Sequence, residues 1–187
     1  MCCHDMDLMM WLMSETKPVS ISSFGGKYQF KPENAPENAG TICMKDCPLV
    51  DSCVYSTKRL YIDHPDRWAF YVWDALEHIK KPTIADKINL MKSDSPYARC
   101  IYKCDNDVVD HQSVLVHFAS GATGTHNMVG GSAEPRRNIH IIGTKGEIFG
   151  NFEDSKFTVL KINPSPKAQI DECDVEVVDL KVKGDMV

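Results

Sequence analysis

His4 stands between two thiols and two carboxylates in Cys2-Cys3-His4-Asp5-Met6-Asp7, and the chain runs straight on into Leu8-Met9-Met10-Trp11-Leu12-Met13. A histidine exchanges its proton near neutral pH, so it can take a hydroxyl proton while a neighbour orients the oxygen. Oxidation of a secondary alcohol by hydride transfer asks for that pair of tasks. Asp7 follows at a spacing that faces His4 on a helix, which makes it the natural orienting or substrate-binding partner. The same residues also read without chemistry, with His4 and Asp5 capping the helix that follows.

A second polar constellation is Asp105-Asn106-Asp107 with Asp110-His111. Carboxylates beside an imidazole suit hydrogen bonding to a polyhydroxylated substrate better than they suit a cation, and Asp107 and His111 are the candidate substrate contacts. Its plainer reading is a loop between strands, where Asp and Asn favour turns for backbone reasons. The third feature is Cys43-x3-Cys47-x5-Cys53 in a stretch rich in Pro and Asn. Three thiols so placed can hold Zn²⁺ if Cys100, Cys104 or His64 brings a fourth ligand, and the spacing matches no standard zinc module. Free thiols and disulfides remain as alternatives.

These residues need elements to position them. An apolar segment from Leu8 to Met13 predicts a helix buried on most of its circumference, an unusual arrangement at a chain start. The expectation is therefore a piece of a longer protein. Val19 to Phe24 alternates as a strand with one solvated face and ends at Gly25-Gly26, whereas 31–52 has no period and reads as a long surface insertion. Tyr55 to Tyr61 and Trp68 to Lys80 predict short helices, the second with Asp66 as N-cap. From Ala98 the period becomes two, and strands are expected near 98–103, 112–119, 122–129, 137–143, 147–152, 156–162 and 174–182. Short turns between successive strands require antiparallel pairing. The predicted architecture is α+β: one open, mostly antiparallel β-sheet with helices on one face, forming a single domain over 1–187.

Four stretches together resemble the C-terminal domain of the glucose-fructose oxidoreductase / inositol dehydrogenase (Gfo/Idh/MocA) family. They are His4-Asp5-Met6-Asp7-Leu8-Met9-Met10-Trp11-Leu12, Tyr97-Ala98-Arg99-Cys100-Ile101-Tyr102, Asp105 to Gln112, and Ile142-Gly143-Thr144-Lys145-Gly146-Glu147-Ile148. The resemblance spans roughly Cys2 to Leu160. It implies that His4 is the active-site histidine, and that an N-terminal Rossmann domain elsewhere binds NAD or NADP. It further implies a sugar, polyol or related hydroxy compound as substrate, and a sheet face that forms a homodimer or homotetramer. This chain encodes no Gly-x-Gly-x-x-Gly after a strand, and neither Lys17-Pro18 nor Lys81-Pro82 follows a Glu. Without the Rossmann half, the chain is expected to be inactive. A non-catalytic oligomerisation or scaffold module with a cysteine-bound metal is the rival.

Composition excludes several other classes. A net charge of −5 with scattered Lys and Arg offers no basic stripe for nucleic acid. No apolar run approaches the roughly 20 residues that span a bilayer, so no membrane partner is expected. Eight cysteines, two of them adjacent, do not form the loop-spaced framework of a small secreted domain, which favours reduced thiols and a cytoplasmic location.

Overall fold

The computed structural model describes residues 2–65, 67–169 and 173–179. The chain divides into two compact units, Met1–Gly130 and Gly131–Val187. The class is α+β as expected, but the strands form two antiparallel sheets where one was predicted.

In the first unit, β1 (Pro18–Gly26), β2 (His111–Phe118) and β3 (Thr123–Val129) form a sheet in that order, with β1 paired to β2 across more than eighty intervening residues. Alternation along β2 sends Val114, Val116 and Phe118 to one face, where they are buried. Helix α1 (Cys2–Leu12) lies on that face through Met6, Met9, Met10 and, just past its end, Met13. Those four residues repeat at the i, i+3, i+4, i+7 spacing of one helical stripe. The helix is thus buried on one stripe only, and Trp11 is 71 % exposed. The sequence expectation of burial all round fails because a three-stranded sheet is too narrow to surround a helix.

Between β1 and β2 the chain builds a second small core from Val72, Met91 and Ala98, with Ile42, Met44, Tyr61 and Leu90 packed against it. Short helices surround it: α2 (Cys43–Asp46), α3 (Thr57–Tyr61) and α4 (Ile84–Leu90). The 31–52 insertion is less irregular than its sequence suggests. Asp46 accepts hydrogen bonds from the Thr41 and Ile42 amides at 2.9 and 2.7 Å, and Ile42 bridges to Arg99 in antiparallel fashion. That bridge replaces the strand predicted at 98–103, whose remaining residues form a 3₁₀ turn and tight turns. Trp68 to Lys80 forms two 3₁₀ turns, Arg67–Phe70 and Trp73–Leu76, in place of one helix. Between them Val72 has φ of 83°, a left-handed conformation that interrupts the helical path. Asp66 lies outside the described residues. Sequence reading missed α4, although Thr83 and Asp86 form a reciprocal capping box at its start.

The second unit is a meander, β4 (Asn138–Gly143), β5 (Gly146–Asn151), β6 (Lys156–Ile162) and β7 (Cys173–Asp179), each strand antiparallel to the next. The predicted strands agree, apart from 180–182, which lie outside the described residues. Thr144-Lys145 makes the two-residue turn, and Gly146 follows at φ of 151°. There an added Cβ would strike the Leu160 carbonyl. Register places Ile142, Phe149 and Val177 on one face and Ile141, Val159 and Phe157 on the other, and none of the unit's described residues is fully buried. Among the described residues, no helix is long and apolar enough to cross a membrane.

Candidate functional site

Helix α1 presents its polar end beside β3. His4 and Asp7 are exposed, while Asp5 points inward and its Oδ2 lies 3.5 Å from Nε2 of His126. Both partners are largely covered, with side chains 21 % and 15 % exposed. Among the described residues, the Nδ1 atom of His126 is buried without a hydrogen-bond partner. A carboxylate against an imidazole, beside a solvent-facing histidine on a packed helix, can accept, hold and return a proton. Gly124 lets the helix come this close, since a Cβ there would stand 2.7 Å from the Met9 sulfur.

Asp110 organises the second constellation. The residue is 8 % exposed, and its Oδ2 accepts from three successive amides, Tyr28, Gln29 and Phe30, at 2.9, 2.8 and 2.9 Å. Its Oδ1 shares the Tyr28 amide and lies 3.0 Å from Nδ1 of His111. Burial alone would raise the pKa of this carboxyl, but the His111 hydrogen bond and the three amides outweigh it and hold the group well below the usual carboxylate range. An ionised carboxylate can only accept, so Nδ1 of His111 donates to it. Asp110 also joins strand ends through its backbone, donating to the Gly26 carbonyl and accepting from the Gly130 amide.

Two of the neighbouring residues make structural contacts. Asp105 pairs with Arg99 at 2.9 Å, and the Asn106 carbonyl accepts from Lys27 at 2.7 Å. Asp107 is exposed. Strand alternation places His111 with Ser113 and Leu115, on the face of the sheet opposite α1. The structure therefore brings His4 and Asp7 together on one helix and leaves Asp107 and His111 elsewhere.

Cys43, Cys47 and Cys53 line one cavity together with Cys100. All four are free thiols, Cys43 buried and the others half-buried. Burial pushes the Cys100 thiol up, and the nearness of Cys47 and Cys43 pushes it further, against the pull of the Tyr102 and Lys103 amides. Among the described residues, no group of three or more His, Cys, Asp or Glu side chains is placed as it stands to hold a metal ion.

Sequence reasoning missed Asp110 as the hub of its motif, His126 as the partner of Asp5, and Thr57 as part of the cysteine cavity. The Asp110-His111 pair is part of that motif, but its role as a hub rests on the 28–30 amides some eighty residues earlier. His126 had no motif to mark it, because only strand pairing brings it beneath the helix. Comparison with protein-family models, curated proteins and solved structures finds no match.

Proposed function

We propose that this chain is the substrate-binding and oligomerisation domain of an NAD(P)-dependent oxidoreductase of the Gfo/Idh/MocA type, acting on a sugar, polyol or related hydroxy compound. The observation that carries this reading is the exposure of His4 and Asp7 together on α1, a helix packed through its methionine stripe and by Asp5 against His126. In the reaction, hydride passes between the substrate carbon and the nicotinamide, and His4 handles the hydroxyl proton while Asp7 binds a neighbouring hydroxyl. The nicotinamide dinucleotide supplies the hydride chemistry and is held by a Rossmann domain outside this chain. His111 belongs to the Asp110 junction and is not assigned to the substrate. The cytoplasm is the compartment that fits the reduced thiols.

The expected assembly is a homodimer or homotetramer through an open sheet face. Phe24, Leu115 and Val129, all exposed on the face opposite α1, support it. Sedimentation of the purified chain tests this, and a monomer at micromolar concentration counts against it.

The function is tested on the polypeptide that joins this chain to its nucleotide-binding domain. Dinucleotide binding followed by fluorescence, and turnover across a panel of sugars and polyols, are both expected. His4→Ala should then lower turnover and leave dinucleotide binding unchanged. A scaffold module stabilised by cysteine-bound metal is the competing reading, favoured by the shared thiol cavity. It requires His4→Ala to leave every ligand-dependent property unchanged.

A further inference from the structure

The four thiols of the cavity arrive from separate segments that backbone contacts hold together. Cys43 opens α2 and Cys47 follows its last residue. Cys53 closes a helical turn by donating its amide to the Leu49 carbonyl at 2.8 Å. Cys100 comes from far along the chain and is fixed by its amide, which donates to the Thr41 carbonyl at 2.8 Å, next to the bridge between Ile42 and Arg99.

A second observation concerns Thr57. This residue is 6 % exposed and borders the same cavity, and its Oγ1 is buried without a hydrogen-bond partner among the described residues. Its backbone amide points at the Cys43 sulfur, 3.4 Å away. A buried hydroxyl and an amide aimed at sulfur are what a thiolate requires, since hydrogen bonds to the ligating sulfurs stabilise their negative charge. With the thiol protonated, Cys43 instead donates to Ser56 Oγ across 3.7 Å, a long and weak contact.

We propose that Cys43, Cys47, Cys53 and Cys100 bind one zinc ion as four thiolates, forming a structural site that ties the 41–57 loop to the 99–102 turn. Binding displaces four thiol protons to solvent, with no change in oxidation state. The zinc–sulfur distance of about 2.3 Å draws the four sulfurs inward, so the metal itself completes the closure of the pocket. No carboxylate lines the cavity, which disfavours calcium and magnesium. Arg99 also borders the cavity, with its guanidinium paired to Asp94 and Asp105. Cys104 is not the fourth ligand. It lies off the cavity, with its sulfur engaged by the Ile101 carbonyl at 3.3 Å and the Asn106 side-chain amide at 2.7 Å.

The site is independent of the oxidoreductase reading. It is tested on the full 187-residue chain. Elemental analysis should find one zinc per chain. Replacing the zinc with Co²⁺ should give the visible and near-ultraviolet thiolate bands of a tetrahedral four-sulfur centre, and Zn²⁺ titration of the apo chain in weak buffer should release close to four protons. Cys100→Ser should abolish stoichiometric binding, while Cys104→Ser leaves it intact. Thr57→Val removes the buried Oγ1 and keeps the amide that meets the Cys43 sulfur; it should weaken Zn²⁺ binding about 10-fold, the scale of losing a polar group that supports the ligands. That variant keeps every thiol, so it still tests the site if Cys100→Ser does not fold. A metal-free chain with no cobalt–thiolate band overturns the proposal, as do disulfides among these residues. Iron with acid-labile sulfide, or binding lost in Cys104→Ser but kept in Cys100→Ser, overturns it as well.

Discussion

Removing the Asp110 carboxylate should release the junction where β1 leaves the sheet and β2 begins. In Asp110→Ala, the amides of Tyr28, Gln29 and Phe30 lose their acceptor together, and His111 loses the partner of Nδ1. Hydrogen bonds to a charged group contribute about 1.5–3 kcal/mol each, and the losses here are not additive because the freed 28–30 segment can move toward water. The expected destabilisation is about 3–5 kcal/mol, the range for breaking a buried charged network from one side. Asp110→Asn should cost less, about 2 kcal/mol, because its carbonyl oxygen can keep the three-amide position while its NH₂ faces the Tyr28 amide. Urea denaturation at pH 7 measures both, and amide hydrogen exchange should lose protection at 28–30. The carboxyl also fixes a pH dependence. Its pKa is lowered in the folded state, so the stabilisation is complete above the unfolded value near 3.9 and drains away as the pH falls below it. Asp110→Asn should flatten that acid limb. Should Asp110→Ala unfold within about 0.5 kcal/mol of wild type, the scatter of ordinary surface changes, the reasoning about this junction is refuted.

Phe118 is fully buried under α1, and Phe118→Ala should cost about 3–5 kcal/mol in a urea titration. Gly124→Ala should cost only about 1 kcal/mol, since the clash falls on the mobile end of Met9. Gly150→Ala places its Cβ on the Lys156 carbonyl and should shift β6, seen as lost amide protection along that strand. Lys87 is buried, donates to the Ala69 carbonyl at 2.6 Å and lies over the Trp73 ring, and burial lowers its pKa. The unfolded chain then binds the extra proton, so stability should rise with pH on the approach to about 10.4, the unfolded lysine value. Lys87→Met should remove that rise, and parallel curves for the two proteins would count against it.

What the sequence disclosed was mostly local. The strands of the second unit follow from alternation and from the Thr144-Lys145 turn, both contained within a few residues. That Leu8 to Leu12 is helical was equally local, whereas the single buried stripe at 6, 9, 10 and 13 emerged only from the packing. Where the reading failed, a competing local or tertiary interaction decided the backbone. The alternating stretch at 98–103 lost its strand because just one bridge, Ile42 to Arg99, was available to it. Trp68 to Lys80 could not continue as one helix through Val72 in the left-handed region.

The candidate sites expose a deeper reason. Asp110 binds amides some eighty residues earlier, Asp5 meets a histidine on β3, and Cys100 joins thiols on the far side of the intervening helices. Each contact depends on strand or bridge register that no spacing within a motif encodes. Residue types could nominate His4, His111 and Cys43, because chemistry is a property of side chains. Partnership is a property of topology. The register of β1 on β2 brings the 28–30 amides to Asp110, and that shared carboxylate in turn accepts from Nδ1 of His111. The register of β2 on β3 likewise sets His126 under Asp5, so the polar end of α1 inherits its geometry from a hairpin more than a hundred residues away.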